Sequence, residues 1–255
     1  MAFRHGKSTA IFLDSLDASP YFNTADSPRT ITTADVTAFG AQGKAYIAGV
    51  EDSVLNASGF FDGAIGQIDD RLWALSTSAT QTYPATYCPD GGCVVGRQAR
   101  LADCWSTNVT PSSPVGGAVT LKMTAQVSGS VDWGKILADR TPIITATTVL
   151  GQTVDWGAGS ASTAGGQANI HVITNTWTGT TTVKVQHSTD GTVWTDLLTQ
   201  TVPAGVAISP TAPFGQPTAY APIVAPGPVN RYVRSSVTTG AGAGTITAVV
   251  AFARF

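Results

Sequence analysis

The stretch TTVKVQHSTDGTVWTDLLTQTV, residues 181–202, decides the fold. Val183 and Val185 alternate with Lys184 and Gln186, the period-two pattern of a half-buried strand. A second run reaches Val202, and Asp190-Gly191 between the two supplies residues that tolerate positive φ, so the segment reads as a β-hairpin. The same pattern continues outward. TPIITATTVL (141–150) and ANIHVITNTW (168–177) precede the hairpin; RYVRSSV (231–237) and TITAVVAFARF (245–255) follow it, joined by AGAG at 241–244. Short strands separated by turn signals, with no helical period among them, predict an all-β, sandwich-like lobe over 141–255. The Pro-rich stretch 203–228 is expected to be an exposed loop.

Residues 1–140 read as a different unit. An extended arm leads into a strand at Ala10, Ile11, Phe12 and Leu13. Residues 17–43 lack sustained periodicity yet carry Tyr21, Phe22 and Phe39, so they are expected to form a long loop with a task of its own. Residues 44–61 read as two strands, KAYIAGV and SVLNASGFF, turned at Glu51-Asp52. Ile65, Ile68, Leu72 and Leu75 recur at spacings of three and four and predict one helix, about 64–75, packed across a sheet. Asp62 suits its cap, and Asp69 and Asp70 suit its dipole. Residues 80–112 look irregular, VTLKMTAQV (119–127) alternates as a strand, and DWGKIL (132–137) closes the half. The fold class is mainly β, with one flanking helix in 1–140 and a second β lobe in 141–255.

Composition narrows the function. Only 12% of residues are charged, against roughly 25% in an ordinary domain, so copies repel one another weakly. Residues 1–140 hold ten basic and thirteen acidic side chains and 141–255 hold four and three, giving a net charge of −2. That balance does not suit a nucleic-acid binder held by phosphate contacts. No run of about 18 apolar residues predicts membrane insertion, and the start of the chain does not read as a targeting segment. Cys88, Cys93 and Cys104 read first as loop thiols, second as carrying a Cys88–Cys93 disulfide, and last as metal ligands. His5, His171 and His187 stand apart from any nucleophile or metal motif, and Glu51 is the sole glutamate. Catalysis, a cofactor and a metal are therefore not expected.

Residues 19–64, SPYFNTADSPRTITTADVTAFGAQGKAYIAGVEDSVLNASGFFDGA, resemble the major tail (tail tube) proteins of long-tailed, siphovirus-type bacteriophages of actinobacterial hosts. The similar elements are Tyr21-Phe22-Asn23, Asp35-Val36-Thr37-Ala38-Phe39-Gly40, Lys44-Ala45-Tyr46-Ile47 with Gly49, and Ser58-Gly59-Phe60-Phe61-Asp62. HVITNTW, VKVQHSTDGTVWTDL and NRYVRSSV look like the second half of the same family, whereas the cysteine-bearing segment 83–104 fits its pattern poorly. The resemblance implies a tail-tube-type β sandwich or barrel with one flanking helix. It implies subunits made in the host cytoplasm and stacked in the virion tail as rings, usually hexamers, beside other tail proteins. Viral DNA would pass through their channel without specific binding. The long loop and the N-terminal arm would bridge copies, which makes Phe3, Tyr21, Phe22 and Phe39 the expected self-assembly residues. Two alternatives stand beside it: a capsid decoration or other virion structural protein, and a carbohydrate-binding adhesion module. The last would stack sugars on Trp177 or Trp194, both of which read more simply as core.

Overall fold

The computed structural model describes residues 6–39, 42–77, 82–157, 162–205, 220–225 and 227–255. The first half supplies β1 (Ala10–Leu13), β2 (Leu16–Asp17), β3 (Phe22–Asp26), β4 (Arg29–Asp35), β5 (Tyr46–Phe60), α1 (Ile68–Thr77), β6 (Tyr83–Cys88), β7 (Gln98–Ser112), β8 (Thr120–Val127) and β9 (Asp132–Ala138). The second supplies β10 (Thr148–Leu150), β11 (Val154–Asp155), β12 (Gly166–Asn175), β13 (Thr181–Ser188), β14 (Thr195–Val202), β15 (Tyr220–Ala225), β16 (Tyr232–Thr239) and β17 (Ile246–Arg254). The protein is mostly β, with two sheets and one α-helix among the described residues.

The larger sheet runs β15-β12-β17-β9-β7-β6-β1-β2, with β8 beside β7, β5 beside β8, and β3 and β4 on β5. The smaller runs β10-β16-β13-β14, with β11 also on β16. All pairings are antiparallel, and β17 pairs with β9, so hydrogen bonding runs straight across the boundary expected near residue 140.

The apolar run in β17 explains this arrangement. Ile246 to Ala253 are all buried, as a strand covered on both faces requires. Val250 and Phe252 join Ile170, Val183, Val185, Val233 and Trp177 in a core between the two sheets. Val249, Ala251 and Ala253 point the other way and meet Ala10, Phe12, Leu101 and Ile136. That second contact exists because the large sheet curls, bringing β12 against β6 and β2. A third cluster packs Ile68 and Leu72 of α1 against Leu55, Leu121, Met123 and Ala125.

Polar side chains fasten the curled seam. Asn169 donates from Nδ2 to the Ala85 carbonyl at 2.9 Å. Nδ1 of His171 lies 2.7 Å from the Asp14 carbonyl, which can only accept, so that nitrogen carries the proton. Nε2 then accepts from the Thr86 hydroxyl at 2.7 Å. Burial keeps the ring neutral and pushes its pKa down to about 4, against a smaller upward pull from the Asp14 carbonyl.

Several expectations change. The segment 44–61 is one unbroken strand, β5: Glu51, taken for a turn residue, is held in the strand by Arg29 from β4. Residues 17–43 are not one loop, since β3 and β4 both pair with β5. Within the stretch expected to be irregular, Tyr83–Cys88 and Gln98–Ser112 form β6 and β7, and β7 changes partner from β9 to β8 along its length. Helix α1 begins at Ile68, four residues after the expected start. Asp62 Oδ1 accepts the Ala64 N–H at 3.0 Å in a turn that leaves Ile65 exposed. Of TPIITATTVL only Thr148–Leu150 is strand. Within 203–228, β15 replaces part of the expected loop, and 206–219 lie outside the described residues.

Deleting residues 150–255 would remove β12 and β17 and bare Leu101, Ile136 and Leu137. Residues 1–149 alone are expected to give no cooperative thermal transition; a sharp transition in that fragment would show an independent N-terminal unit. Acidification gives a second test. The folded pKa of His171 is depressed, so the unfolded chain binds the proton more readily. Stability is full above about pH 6.5 and falls as pH drops towards 4, by on the order of 3 kcal/mol for this one group. His187, also shifted down by burial, adds in the same direction. Urea unfolding of the wild type and of His171→Gln between pH 7 and 4 should show a shallower slope in the variant.

Candidate assembly surface

Beyond the body of the large sheet, β4 and the first half of β5 form a two-stranded ribbon. Every residue of β4 is exposed, as are Tyr46 to Val50 of β5. Register places Ile31 opposite Glu51, Thr33 opposite Ala48, and Asp35 opposite Tyr46, so Ile31 and Tyr46 share one face. Ile47, opposite Ala34, lies on the other face by alternation, and a bulge at Gly49-Val50 opposite Thr32 brings Val50 to that face as well. A Cβ on Gly49 would lie 2.5 Å from Thr32 Oγ1 and 3.2 Å from the Thr32 carbonyl oxygen, so a larger residue there would force Thr32 to shift. Both faces thus carry large apolar side chains in solvent, with Val50 76% exposed and Tyr46 55%.

The ribbon is anchored at its root. Arg29 Nε donates to Glu51 Oε2 at 2.8 Å, while Glu51 Oε1 accepts the Ser53 hydroxyl at 2.8 Å and the Val131 N–H at 3.0 Å. Burial opposes the charge, but the Val131 N–H, Arg29 and Ser53 together hold the carboxyl below its ordinary range. Gln126 Nε2 donates to Asp52 Oδ1 on the opposite face at 2.7 Å. At the far end Asp35 Oδ1 accepts the Thr37 N–H at 2.9 Å, and Thr37 Oγ1 accepts the Ala45 N–H at 2.9 Å. Hydrogen bonds from Thr37 hold the Asp35 carboxyl low and ionised. Phe39 projects beyond this turn, fully exposed.

The four residues expected to act in assembly occupy different places. Phe3 lies outside the described residues. Tyr21 and Phe22 pack partly buried against the α1 core, with the Tyr21 hydroxyl donating to Gln67 Oε1. Phe39 alone stands in solvent. Sequence reasoning missed Ile31, Tyr46, Ile47 and Val50. Their signal is apolar residues in both registers of one strand, which leaves neither face polar.

The remaining candidates are core or network residues. Cys88, Cys93 and Cys104 are free thiols. The alternative Cys88–Cys93 disulfide is not formed: Cys88 closes β6 inside the cluster around Phe12 and Leu101, and Cys93 packs at its half-buried edge. Burial pushes the thiols of Cys93 and Cys104 up to about 12, and that of Cys88 higher still. Trp177 is fully buried between the sheets and donates from Nε1 to the Gly240 carbonyl at 3.2 Å. Trp194 carries the Arg234 guanidinium 4.1 Å from its ring centre.

The fold and surface define a two-sheet β protein with a projecting, two-faced ribbon. No family model and no curated protein matches the chain. Solved structures that align with it include chains of a gene transfer agent particle, of phage tail and baseplate proteins, and of infectious bursal disease virus. A chain from the virion of a native gene transfer agent particle is 16% identical, with a TM-score of 0.41, covering 51% of this chain and 98% of its own. A chain of the SPP1 tail tube is 14% identical, with a TM-score of 0.39, covering 50% and 80%. The SPP1 hub protein Dit is 12% identical, with a TM-score of 0.36, covering 97% and 99%. At these scores the likenesses transfer no residue and no activity.

The ribbon has no core of its own, and two strands alone are marginally stable in water. In the dispersed protein, amides of 29–35 and 46–50 are expected to exchange at least tenfold faster than those of β8. Hydrogen-exchange mass spectrometry measures this directly, and equal protection would mean that the ribbon is held as firmly as the body.

Proposed function

We propose that this chain is a structural subunit of a bacteriophage tail, assembling with copies of itself into stacked rings around a channel for genome delivery. The observation that carries the reading is the ribbon with apolar side chains exposed on both faces. One partner surface can cover one face; covering two requires two neighbouring surfaces, as at a ring position with neighbours on either side. Contact between unlike surfaces closes into a ring when the rotation allows, and a hexamer is the arrangement we propose. Low charge density eases such packing. The sequence resemblance of 19–64 to major tail proteins spans β3, β4 and β5 and so includes both strands of the ribbon. In this reading the protein acts mechanically, without catalysis or a cofactor, and DNA passes through the lumen without specific binding.

Two paired variants test it: Ile47→Asp with Val50→Asp on one face, and Ile31→Asp with Tyr46→Asp on the other. All four positions are exposed, so the melting temperature should stay within about 2 °C of wild type. Each pair should raise the concentration needed for rings or tubes at least tenfold, equivalent to about 1.4 kcal/mol per contact. Negative-stain microscopy of a concentration series reads the result. Assembly that is indifferent to both pairs would defeat the proposal, and dependence on one face alone would defeat the two-neighbour arrangement.

A further inference from the structure

A cleft of about 360 Å³ opens between the β1–β2 turn, the loop entering α1 and the end of β12. Its walls include Leu16, Tyr21, Ile65, Ile173 and Asn175, with Arg71 of α1 at one side. The volume falls within the range of sites that enclose a whole chemical group. Arg71 is the unusual member. Its backbone N–H closes a helical bond to the Gln67 carbonyl at 3.0 Å; the residue is partly buried, and its guanidinium has no hydrogen-bond or ion-pair partner among the described residues. The other described arginines are engaged: Arg29 with Glu51, Arg140 with Asp17, Arg231 with Asp155, Arg234 with Gln186, Arg97 and Arg100 with backbone carbonyls, and Arg254 over Trp156.

We infer that this cleft receives the Phe39 ring from the ribbon tip of a second copy. The inference rests on the assembly reading above and names the surface that the ribbon engages. A guanidinium without a partner among the described residues, beside Leu16, Ile65 and Ile173, suits a flat aromatic ring, whose π face it can cover. An acidic group fits less well, because the cleft already holds the Asp17 carboxylate, bound to Arg140 at 3.0 Å. Among exposed aromatics Phe39 alone stands at a projecting turn. Tyr46, Phe60 and Trp133 lie on strands, Trp73 lies on the helix, and Phe255 follows β17. Phe39 is fully exposed in its own chain, so the cleft that takes it belongs to another copy. A buried aromatic anchor in a pocket of a neighbour is the usual form of an interface hot spot.

The test places the photo-crosslinking residue benzoylphenylalanine at position 39 and irradiates assembled material. Intermolecular crosslinks are expected in peptides spanning 15–21, 65–71 or 173–176. Crosslinks confined elsewhere would overturn the cleft while leaving the assembly role standing. Wild-type protein that forms no assembly at any concentration would overturn both. A second variant, Ile65→Trp, fills the cleft from an exposed position and should raise the assembly concentration at least tenfold. The control Val193→Trp, exposed on a distant hairpin, should leave it unchanged. Equal behaviour of the two variants would also overturn the cleft.

Discussion

Eight consecutive buried residues in β17 impose the constraint on which the rest of the molecule depends. A strand that is apolar on both faces must be covered twice. The five-stranded sheet covers one side through Val183, Val185 and Val233. The curl of the larger sheet covers the other, bringing Phe12 and Leu101 over Val249 and Ala251. Gly134 permits the close pairing of β9 with β17, since a Cβ there would lie 2.3 Å from the Phe252 carbonyl. The two halves of the chain therefore share a core even where their charge content differs.

The curl is secured by polar contacts at its seam. Asn169, His171 and Thr86 are buried, and their hydrogen bonds have specific directions, so they fix how β12 meets β6 more narrowly than apolar packing would. Phe12 lies against the His171 ring at 5.6 Å between centres, linking the seam to the core beside it. Register across the seam and order in the ribbon root thus rest on the same kind of device: a charged or polar side chain satisfied from another part of the chain. In the ribbon that side chain is Glu51.

Local patterns revealed those elements whose partners lie nearby. The β13–β14 hairpin was legible because Asp190-Gly191 determines the turn by itself: Gly191 has a φ of 77°, and Asp190 accepts the Thr192 and Val193 N–H groups. The helix was legible from Ile68 and Leu72, but its start was not, since Ile65 has the right spacing and sits in a preceding turn. The single strand β5 was hidden because Glu51-Asp52 looks like a break until Arg29, 22 residues earlier, is known to sit beside it. β4 was hidden for a different reason. With both faces in solvent it has no alternation to read, and for the same reason the exposed apolar side chains of Ile31, Tyr46, Ile47 and Val50 did not stand out in the sequence while Phe39 did.

The three thiols have a consequence for the life of the protein outside a reducing environment. A thiol whose pKa is about 12 is ionised at neutral pH in about one molecule in 10⁵, and the thiolate is the reactive form. Cys88, Cys93 and Cys104 are therefore chemically quiet. While the chain stays folded, air and peroxide therefore meet little thiolate, and unfolding is the step that would present these sulfurs to them.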